Sequence, residues 1–551
     1  MGTVRRMYNQ LVSARDGVAL ATDVYLPPGD GPFPAVLGRT PYNKNNPGYA
    51  KLIDAWNRRG YALVIQDCRG RGDSDGVFTP YRDDGRDGCD TVEWVAARDW
   101  CDGNVTTQGA SYGGRISWLT ALEHPPHLRA MIVAVCPSDP FVEFPTSGES
   151  LMGISWFRLV DRHLMQRVDD VDWMEVYTHL PLETLDAAAG FSSPHWRSAM
   201  AHTYRDEHWG ELRYQHRFAE LDLPVLHISG WYDDEQIGTP LNFAGMVGNA
   251  ASQRARNSQR LVMGPWGHQI NSTQKLGEVD FGPGAVVDLE GGEADWLDGV
   301  LGRGAPSETA PVRLFVMGAN TWRDEYEWPL ARTRFTDYFL HSGGRANSRY
   351  GDGMLSTSAP GANEPADTYT YDPSRPVPFM TVPSSAQIGG PDDYSAVEQR
   401  GDVLCYTTEV LGADVEVTGP VRLRLFASSS AVDTDFTAKL VDVHPGGFCQ
   451  RLCDSVIRAR FREGVDRQVL MDPGTVYEFD IDMWNTSQVF MAGHRIRLEV
   501  SSSAFPKYDR NLNTGEDIGR GVRMEIAENR AWHEVERPSR LILPIVPKDA
   551  N

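Results

Sequence analysis

The chain has 551 residues, with 53 basic and 75 acidic side chains and a formal net charge of −22 at pH 7. An acidic chain without a basic block is a poor partner for nucleic acids and anionic membranes, so we expect neither as a partner. The length predicts roughly three or four domains, and no apolar run is long enough to cross a bilayer.

The N-terminus and the cysteines bear on the cellular location. Residues 1–8 lack the apolar segment of a signal peptide. The seven cysteines show no metal-binding spacing. An odd number of cysteines without a signal peptide predicts reduced, buried thiols in a cytoplasmic protein.

From residue 8 to residue 138, strand-like runs alternate with helical ones, a pattern typical of a mostly parallel sheet. Strand 61–67 precedes a glycine-rich turn, residues 70–76, that could be mistaken for a phosphate cradle. Its glycine spacing is wrong for a nucleotide loop, two acids stand where a pyrophosphate would lie, and no Gly-Lys-Ser/Thr follows. We interpret it as a tight turn that supports the site, and we predict neither a cofactor nor a metal.

A Gly-x-Ser-x-Gly sequence centred on Ser111 stands between a predicted strand, residues 104–108, and a predicted helix, residues 114–122. That context is typical of a nucleophile elbow, whereas the bare pattern arises readily by chance in a chain with 53 glycines. We expect a Cβ at Gly109 or Gly113 to clash with the backbone of this turn. The helix behind it would direct free N–H groups and a partial positive charge at an oxyanion beside Ser111.

The strand pattern stops between residues 145 and 221, where aromatic, histidine and acidic residues are spaced as in helices. This segment predicts a helical insertion over the sheet. The α/β pattern resumes with two short apolar strands, residues 223–230 and 259–264. Asp233 follows the first strand and His268 the second, at the sheet edge where open α/β proteins place catalytic groups.

Ser111, Asp233 and His268 follow one another in the chain order nucleophile, acid, base that this architecture uses. Asp234 is a competing orienter for the histidine, but Asp233 is closer to the strand end. Among the 14 histidines, only His268 follows a sheet strand on a Pro/Gly loop. The others are interpreted as core, surface, helix-end or C-terminal residues: His227 as core, His195, His202 and His208 as surface, His124 and His127 at a helix end, and His444 and His494 in the C-terminal region.

Past residue 333, strands dominate and turns rich in Gly, Pro and Asn separate them. This pattern predicts an all-β sandwich.

The chain resembles the serine hydrolases of the cocaine esterase type, which include X-prolyl dipeptidyl peptidases and α-amino-acid ester hydrolases. The resemblance runs through nearly the whole length. It rests on seven segments: residues 39–44, 67–76, 109–114, 230–233, 264–268, 433–439 and 505–513. It implies an α/β-hydrolase fold, residues 1–142 and 221–332, with a helical cap, residues 143–220, and a C-terminal jelly-roll-like β-sandwich, residues 333–551.

The resemblance also implies a role for each site residue. Ser111 would be the nucleophile, His268 the base and Asp233 its orienter. Tyr42 would place its phenol hydroxyl in the oxyanion hole, and Tyr112 would supply a second donor through its backbone N–H. The position of Tyr42 after strand 33–38 fits, because this fold draws its second oxyanion donor from that region.

The substrate pocket is harder to predict. Glu235 resembles the carboxylate with which α-amino-acid ester hydrolases hold a substrate ammonium, and Glu149 or Glu143 could supply a second carboxylate. Gln236 stands where those enzymes have another acid, so the cluster would be incomplete; Glu235 is equally well explained as a solvated loop acid. Three aromatic residues could line an acyl pocket or belong to the core: Trp156, Phe157 and Trp231.

The sequence therefore predicts a serine hydrolase that cleaves a small-molecule carboxylic ester through an acyl-enzyme, with a related amide or β-lactam activity open. The alternatives are an X-prolyl dipeptidyl peptidase, an acyltransferase that uses the same acyl-enzyme, and a binding protein that has lost its chemistry. A homo-oligomer is possible.

Overall fold

The computed structural model describes residues 5–304, 310–381 and 389–548. These residues form two large sheets with helices around and between them. The first sheet has ten strands in the order β1-β2-β4-β3-β5-β6-β7-β8-β11-β12. They are β1 (Arg5–Ser13), β2 (Ala19–Leu26), β3 (Phe33–Thr40), β4 (Ala62–Asp67), β5 (Cys101–Ala110), β6 (Leu128–Ala134), β7 (Val225–Gly230), β8 (Arg260–Gly264), β11 (Val312–Val316) and β12 (Thr321–Glu325).

The centre of this sheet, from β4 to β11, is parallel, whereas β1, β2 and β12 pair antiparallel at its edges. Every residue of β4 and β7 is buried. Strands covered on both faces need continuous apolar runs, which is why these segments lack polar alternation. A separate hairpin joins β9 (Lys275–Leu276) to β10 (Val279–Asp280).

Six helices flank the first sheet: α1 (Tyr49–Arg58), α2 (Asp84–Ala96), α3 (Tyr112–Ala121), α9 (Gly238–Asn249), α10 (Gln253–Asn257) and α11 (Leu289–Val300). The longest of the described helices, α2, has 13 residues. None of the helices in the described ranges has the length and hydropathy needed to cross a membrane.

All the regular secondary structure between β6 and β7 is helical. Its helices are α4 (Pro140–Glu143), α5 (Gly153–Leu159), α6 (Trp173–Thr178), α7 (Leu185–Ala188) and α8 (Pro194–Ala201), with short 3₁₀ turns at Leu182–Thr184, Glu207–Leu212 and Gln215–Glu220. Side-chain caps start several of these helices; Ser193, for example, accepts the N–H of Trp196. The helices share an aromatic core that includes Trp173 and Trp196.

The second sheet follows from residue 334 and contains eleven strands in the order β15-β22-β17-β23-β13-β14-β16-β21-β18-β19, with β20 paired to β17. They are β13 (Arg334–His341), β14 (Met354–Ser356), β15 (Asp367–Tyr371), β16 (Leu404–Thr407), β17 (Val415–Ser429), β18 (Asp435–Val443), β19 (Cys449–Arg458), β20 (Tyr477–Phe490), β21 (Arg495–Ser501), β22 (Ala527–Trp532) and β23 (Arg540–Val546). One apolar core runs through them, as expected for a sheet folded on itself.

The two sheets are joined by backbone hydrogen bonds. Just past β11, Met317 N–H donates to Ser487 O of β20, and Val489 N–H donates back to Met317 O. The cap joins the second sheet too, because Arg458 donates to Thr146 O and pairs with Asp435 and Asp509.

The predicted α/β sheet with a helical insertion and a β-rich C-terminal part is confirmed. The exact limits of the domains stay a prediction.

Candidate active site

The predicted nucleophile lies at the tightest turn of the first sheet. Ser111 stands between β5 and α3 with φ 56° and ψ −124°, a backbone conformation that residues other than glycine rarely adopt. Its N–H donates to Ala134 O of the neighbouring β6 at 2.9 Å. A strained residue held by surrounding structure at the carboxyl end of a strand is a strong indication of function.

The glycines around Ser111 are not equivalent. A Cβ at Gly109 would lie 2.2 Å from the carbonyl carbon of Gly113, so the predicted clash is confirmed there. The same prediction is wrong for Gly113, where a Cβ would meet Arg39 O at 3.4 Å, an ordinary contact. The close approach is one-sided because Gly109, near the end of β5, lies against the backbone of the first turn of α3.

Asp233 and His268 meet above the ends of β7 and β8. His268 Nδ1 lies 2.8 Å from Asp233 Oδ1. The other oxygen, Asp233 Oδ2, accepts the hydroxyl of Ser229 at 2.6 Å, and Oδ1 also accepts the N–H of Glu235 at 3.2 Å. Asp233 is buried and fully hydrogen-bonded, so it holds the imidazole in one orientation.

Asp234, the other candidate partner of the histidine, also lies beside the imidazole. Asp234 Oδ1 lies 3.0 Å from His268 Nδ1, yet its geometry gives it no hydrogen-bond partner among the described residues. Asp234 lies on the cavity wall, whereas Asp233 lies behind the imidazole. The histidine therefore has one hydrogen-bonded carboxylate and a second carboxylate that acts by charge.

The two carboxylates control the protonation of the histidine. Burial alone lowers the pKa of His268, but the negative charges of Asp234 and Asp233 outweigh it and raise the pKa well above its usual value. Burial also raises the pKa of Asp233, against the lowering effect of the His268 hydrogen bond.

Ser111 and His268 line the same cavity. Among the hydrogen bonds of the described residues, none joins the Ser111 hydroxyl to the imidazole. Contacts between nucleophile and base are often long without substrate and tighten in the complex.

Tyr42 points its hydroxyl into this cavity from the loop after β3. Its oxygen accepts the indole N–H of Trp156 at 2.8 Å. The phenol proton is thus free to donate elsewhere. Burial raises the pKa of Tyr42 to about 12, so the phenol is neutral at physiological pH.

Tyr112 opens α3, where the first N–H groups have no partner within the helix. Its ring is fully buried, stacks on Tyr81 at 4.4 Å between ring centroids, and its hydroxyl donates to Asp84. The side chain is therefore structural, and only the backbone N–H faces the turn that carries Ser111.

The glycine-rich turn after β4 supports the Tyr42 loop. Asp67 accepts the backbone N–H of Lys44 at 2.7 Å and that of Asp73 at 3.0 Å. Arg71 donates to Pro41 O and to Val160 O of the cap. The predicted role of this turn agrees with these contacts.

The cavity has a volume of about 750 Å³ and lies between the first sheet and the cap. Its wall carries three glutamates: Glu143, Glu149 and Glu235. The sequence leaves open whether Glu235 and Glu149 face a pocket; in the structure both line the cavity. Glu235 Oε2 is buried and has no hydrogen-bond partner within the described part of the chain.

Burial raises the pKa of all three acids. The pKa of Glu149 rises to about 7. The pKa of Glu235 rises well above its usual value, and the nearby charges of Asp234 and Glu143 add to the effect of burial. Glu143, which accepts the N–H of Ser138 at 2.7 Å, is raised well above its usual value by burial as well.

The predicted pocket aromatics divide into two groups. Trp156 and Phe157 line the cavity and contact each other edge to face. The prediction is wrong for Trp231, which is buried in the core against Trp328 and donates its indole N–H to Phe315 O. The backbone N–H of residue 231 donates to Gly264 O of β8, and the indole packs in the apolar cluster that includes Phe315 and Trp328.

Gln236 does not reach the cavity. Its amide donates to Asn485 O of β20 and fixes the acid loop to the second sheet. The second cavity carboxylate beside Glu235 comes instead from Glu143 at the end of α4.

The cavity contains cationic and imidazole side chains that the sequence did not predict. His195 and His208, interpreted as surface residues, line the cavity, and so does Arg115. Lys507 reaches it from the second sheet and donates to Asp454 Oδ2 at 2.6 Å. Only Lys507 had a signal in the sequence, because it lies in one of the segments of the family resemblance.

The comparisons with known proteins agree with this geometry. The chain is 39% identical, over 98% of both sequences, to the cocaine esterase of Rhodococcus sp. (strain MB1 Bresler). The chain belongs to the cocaine esterase family of serine hydrolases. Residues 16–270 match the family model of the X-Pro dipeptidyl-peptidase (S15 family), and residues 304–542 match its C-terminal non-catalytic domain.

Two solved structures superimpose over nearly the whole chain. An aminopeptidase from a marine sediment Thaumarchaeota archaeon has a TM-score of 0.88 at 26% identity and covers 99% of this chain and 97% of its own. An α-amino acid ester hydrolase has a TM-score of 0.86 at 25% identity, with the same coverage. The predicted family, the α/β-hydrolase fold and the class of serine ester hydrolase are confirmed.

Proposed function

We propose that this site hydrolyses carboxylic esters through an acyl-enzyme, with Ser111, His268 and Asp233 as its catalytic triad. The observation that carries the proposal is the pairing of a strained serine with a carboxylate-bound histidine on one cavity wall. His268 Nδ1 is held by Asp233 at 2.8 Å, which leaves Nε2 for proton transfer.

The proposed reaction has two halves. Ser111 Oγ attacks the ester carbonyl while His268 Nε2 takes its proton, and the imidazolium returns that proton to the departing alcohol. A water molecule then attacks the acyl-enzyme with His268 again as base, which releases the acid and restores Ser111. Asp233 stabilises the imidazolium in both halves.

Two donors support the tetrahedral intermediate in this proposal, the Tyr42 hydroxyl and the Tyr112 backbone N–H. The indole N–H of Trp156 already occupies one lone pair of the Tyr42 oxygen. The phenol proton therefore points elsewhere, and a neutral phenol can donate to the developing oxyanion without losing that proton.

The acidic end of the cavity favours acyl groups that carry an ammonium. The negative charge of Glu143 adds to the burial that raises the pKa of Glu235, which means that the two carboxylates repel each other. A ligand ammonium between them would remove that repulsion and would pair with the unpartnered Glu235 Oε2. We infer that esters of α-amino acids are preferred substrates.

An aminopeptidase activity is the second candidate. The same two carboxylates would hold the N-terminal ammonium of a peptide, and the solved relative of highest TM-score among those named here is an aminopeptidase. Transfer of the acyl group to an acceptor other than water uses the same intermediate and stays open.

The nucleophile is tested with a fluorophosphonate probe and mass spectrometry. The parent should carry one adduct on Ser111, and Ser111→Ala should lose turnover of p-nitrophenyl butyrate by several orders of magnitude with its fold intact. Ser198→Ala, which also alters a cavity serine, should keep both the adduct and the activity. Near-parental turnover by Ser111→Ala would contradict the assignment.

The acyl preference is tested by comparing kcat/KM for phenylglycine methyl ester and phenylacetic methyl ester. The parent should prefer the amino ester, and Glu235→Gln should reduce that preference roughly tenfold or more, because one ion pair in a partly desolvated pocket is lost. Glu278→Gln, at an exposed acid outside the cavity, is the matched control. An unchanged ratio in Glu235→Gln would identify Glu235 as a loop acid and the protein as an esterase for uncharged acyl groups.

A dipeptide with phenylglycine at its N-terminus distinguishes the ester hydrolase from the aminopeptidase, because its scissile bond is an amide. Cleavage of this amide at a rate comparable with the ester would favour the aminopeptidase, whereas turnover of the ester alone would favour the ester hydrolase.

A further inference from the structure

Three potential metal ligands converge on the second sheet, away from the cavity. Asp442 lies near the end of β18, His444 follows that strand directly, and His494 precedes β21. Since β18 and β21 are paired neighbours, with Asp442 opposite Ile496, the fold brings these three side chains together from distant parts of the sequence.

The ligand atoms are close enough to share one ion. A carboxylate oxygen of Asp442 and one ring nitrogen each of His444 and His494 all lie within 4.8 Å of one another. His494 Nδ1 is 2.8 Å from Asp442 Oδ1, and His444 Nε2 is 3.9 Å from Asp442 Oδ2. Ligands of a tetrahedral zinc ion stand about 3.3 Å apart, given bonds of about 2.0–2.2 Å. The His494 Nδ1–Asp442 Oδ1 pair is about half an ångström closer than that, and the His444 distance is to the other oxygen of the carboxylate.

A fourth potential ligand atom lies beside these three. Gln450 of β19 places Oε1 3.1 Å from His444 Nε2. Its amide group cannot turn away freely, because its NH₂ donates to the Tyr232 hydroxyl at 3.0 Å. The cluster thus offers two imidazoles, one carboxylate and one amide oxygen, a ligand set suited to zinc-like divalent ions.

The carboxylate is held as metal ligands usually are. Gln488 of β20 donates to Asp442 Oδ2 at 2.9 Å, which leaves Oδ1 for a ligand bond. Gln488 Oε1 is buried and has no partner among the described residues. Outer partners of this kind orient the ligands and support metal affinity.

The two imidazoles are partly exposed to solvent. Asp442 is buried, but the His444 and His494 side chains are 32% and 14% exposed, so an ion can enter from the surface. The centroids of their rings stand 4.4 Å apart, so the two imidazoles lie side by side at the entrance to the cluster.

We propose that Asp442, His444 and His494, with Gln450, form a site for one divalent transition-metal ion, best suited to zinc. The site lies between the two sheets, since Gln450 binds Tyr232, the residue before Asp233. A metal there would fix β18, β19 and the turn before β21 against the acid loop. Its role is structural, and it takes no part in the reaction at Ser111.

The test must separate this site from the triad, where Asp233, Asp234 and His268 also come within ligand distance of one another. Protein dialysed against a chelator is titrated with Co²⁺ and followed by visible absorption, and with Zn²⁺ and followed by calorimetry. The same titrations are made on His444→Ala, on His494→Asn, which can still donate to Asp442, and on His268→Ala. His216→Ala, at an exposed histidine outside both clusters, is the matched control.

The parent, His268→Ala and His216→Ala should each bind one equivalent of metal at the new site and should melt at a higher temperature with Zn²⁺. His444→Ala and His494→Asn should lose at least a hundredfold in affinity and should show no change of melting temperature with Zn²⁺. Gln488→Leu should weaken binding about tenfold to a hundredfold.

Anomalous diffraction at the zinc edge should show the ion between His444 and His494. A parent that binds no metal, or metal that is lost only in His268→Ala, would overturn the proposal. His444→Ala and His494→Asn should both retain ester turnover, which shows that these two variants are folded.

Discussion

At the scale of single residues, the proposed oxyanion donor contacts a neighbour in the cap. Tyr42 is in the loop after β3 and Trp156 on α5, 114 positions away, yet the indole N–H is hydrogen-bonded to the phenol oxygen. The indole fixes the direction of the phenol proton, which is a requirement for a donor that must be in place before the oxyanion forms.

Tyr42→Phe removes that donor and leaves the ring. We expect kcat for p-nitrophenyl butyrate to fall roughly a hundredfold or more, with a smaller change in KM, because the interaction is made mainly in the transition state. Tyr81→Phe removes another hydroxyl from the cavity wall and should leave kcat near the parental value. A change confined to KM in Tyr42→Phe would show that Tyr42 only positions the substrate.

Asp234→Asn tests the second carboxylate beside the base. His268 must be neutral to accept a proton, so kcat/KM rises with pH through its pKa, which Asp234 and Asp233 raise. With one negative charge removed, the pKa of His268 falls and the acid limb of the pH profile moves to lower pH, while kcat on the plateau is largely retained.

Asp233→Asn is the contrasting variant, because Asp233 holds the imidazole by a hydrogen bond. Its plateau should fall by about four orders of magnitude, as for the loss of a triad orienter. An acid limb at the same pH in Asp234→Asn and the parent would contradict the role given to Asp234.

At the scale of elements, the turn between β5 and α3 tolerates no side chain at its first glycine. Gly109→Ala places a methyl carbon 2.2 Å from the backbone of Gly113. Because backbone cannot rotate away as a side chain does, we expect a loss of about 3 kcal/mol or more in the free energy of unfolding. The midpoint of urea unfolding measures it.

Gly248→Ala, near the end of α9, meets no atom within 4 Å and serves as the control. It should leave stability unchanged or raise it slightly, since alanine is the better helix former. A Gly109→Ala variant as stable as Gly248→Ala would mean that the turn can relax.

Local sequence patterns predicted these elements well. The apolar runs of β4 and β7, with punctuating glycines and prolines, mark strands that are covered on both sides. The Gly113 prediction failed because the two glycines of the motif are symmetric in sequence but not in space: one faces the helix backbone and the other a carbonyl of β3 at an ordinary contact distance.

At the scale of the whole molecule, the sequence could not predict which side chains meet across domains. His195 and His208 read as surface residues because their helical segments are polar, yet the cap turns them towards the cavity. Trp231 is next to the acid in sequence, but its indole lies in the core. The positions of these side chains depend on how the cap and the sheets pack together, and the local periodicity of the sequence does not predict that packing.

Lys507 shows what the shared cavity means for the history of the gene. This side chain belongs to the C-terminal half, yet it forms part of the wall around the reacting serine. Recombination that exchanged the C-terminal half between two relatives would also exchange part of the substrate pocket. Selection for a new substrate can therefore act on either half of the gene, and the half without the triad is a source of catalytic diversity.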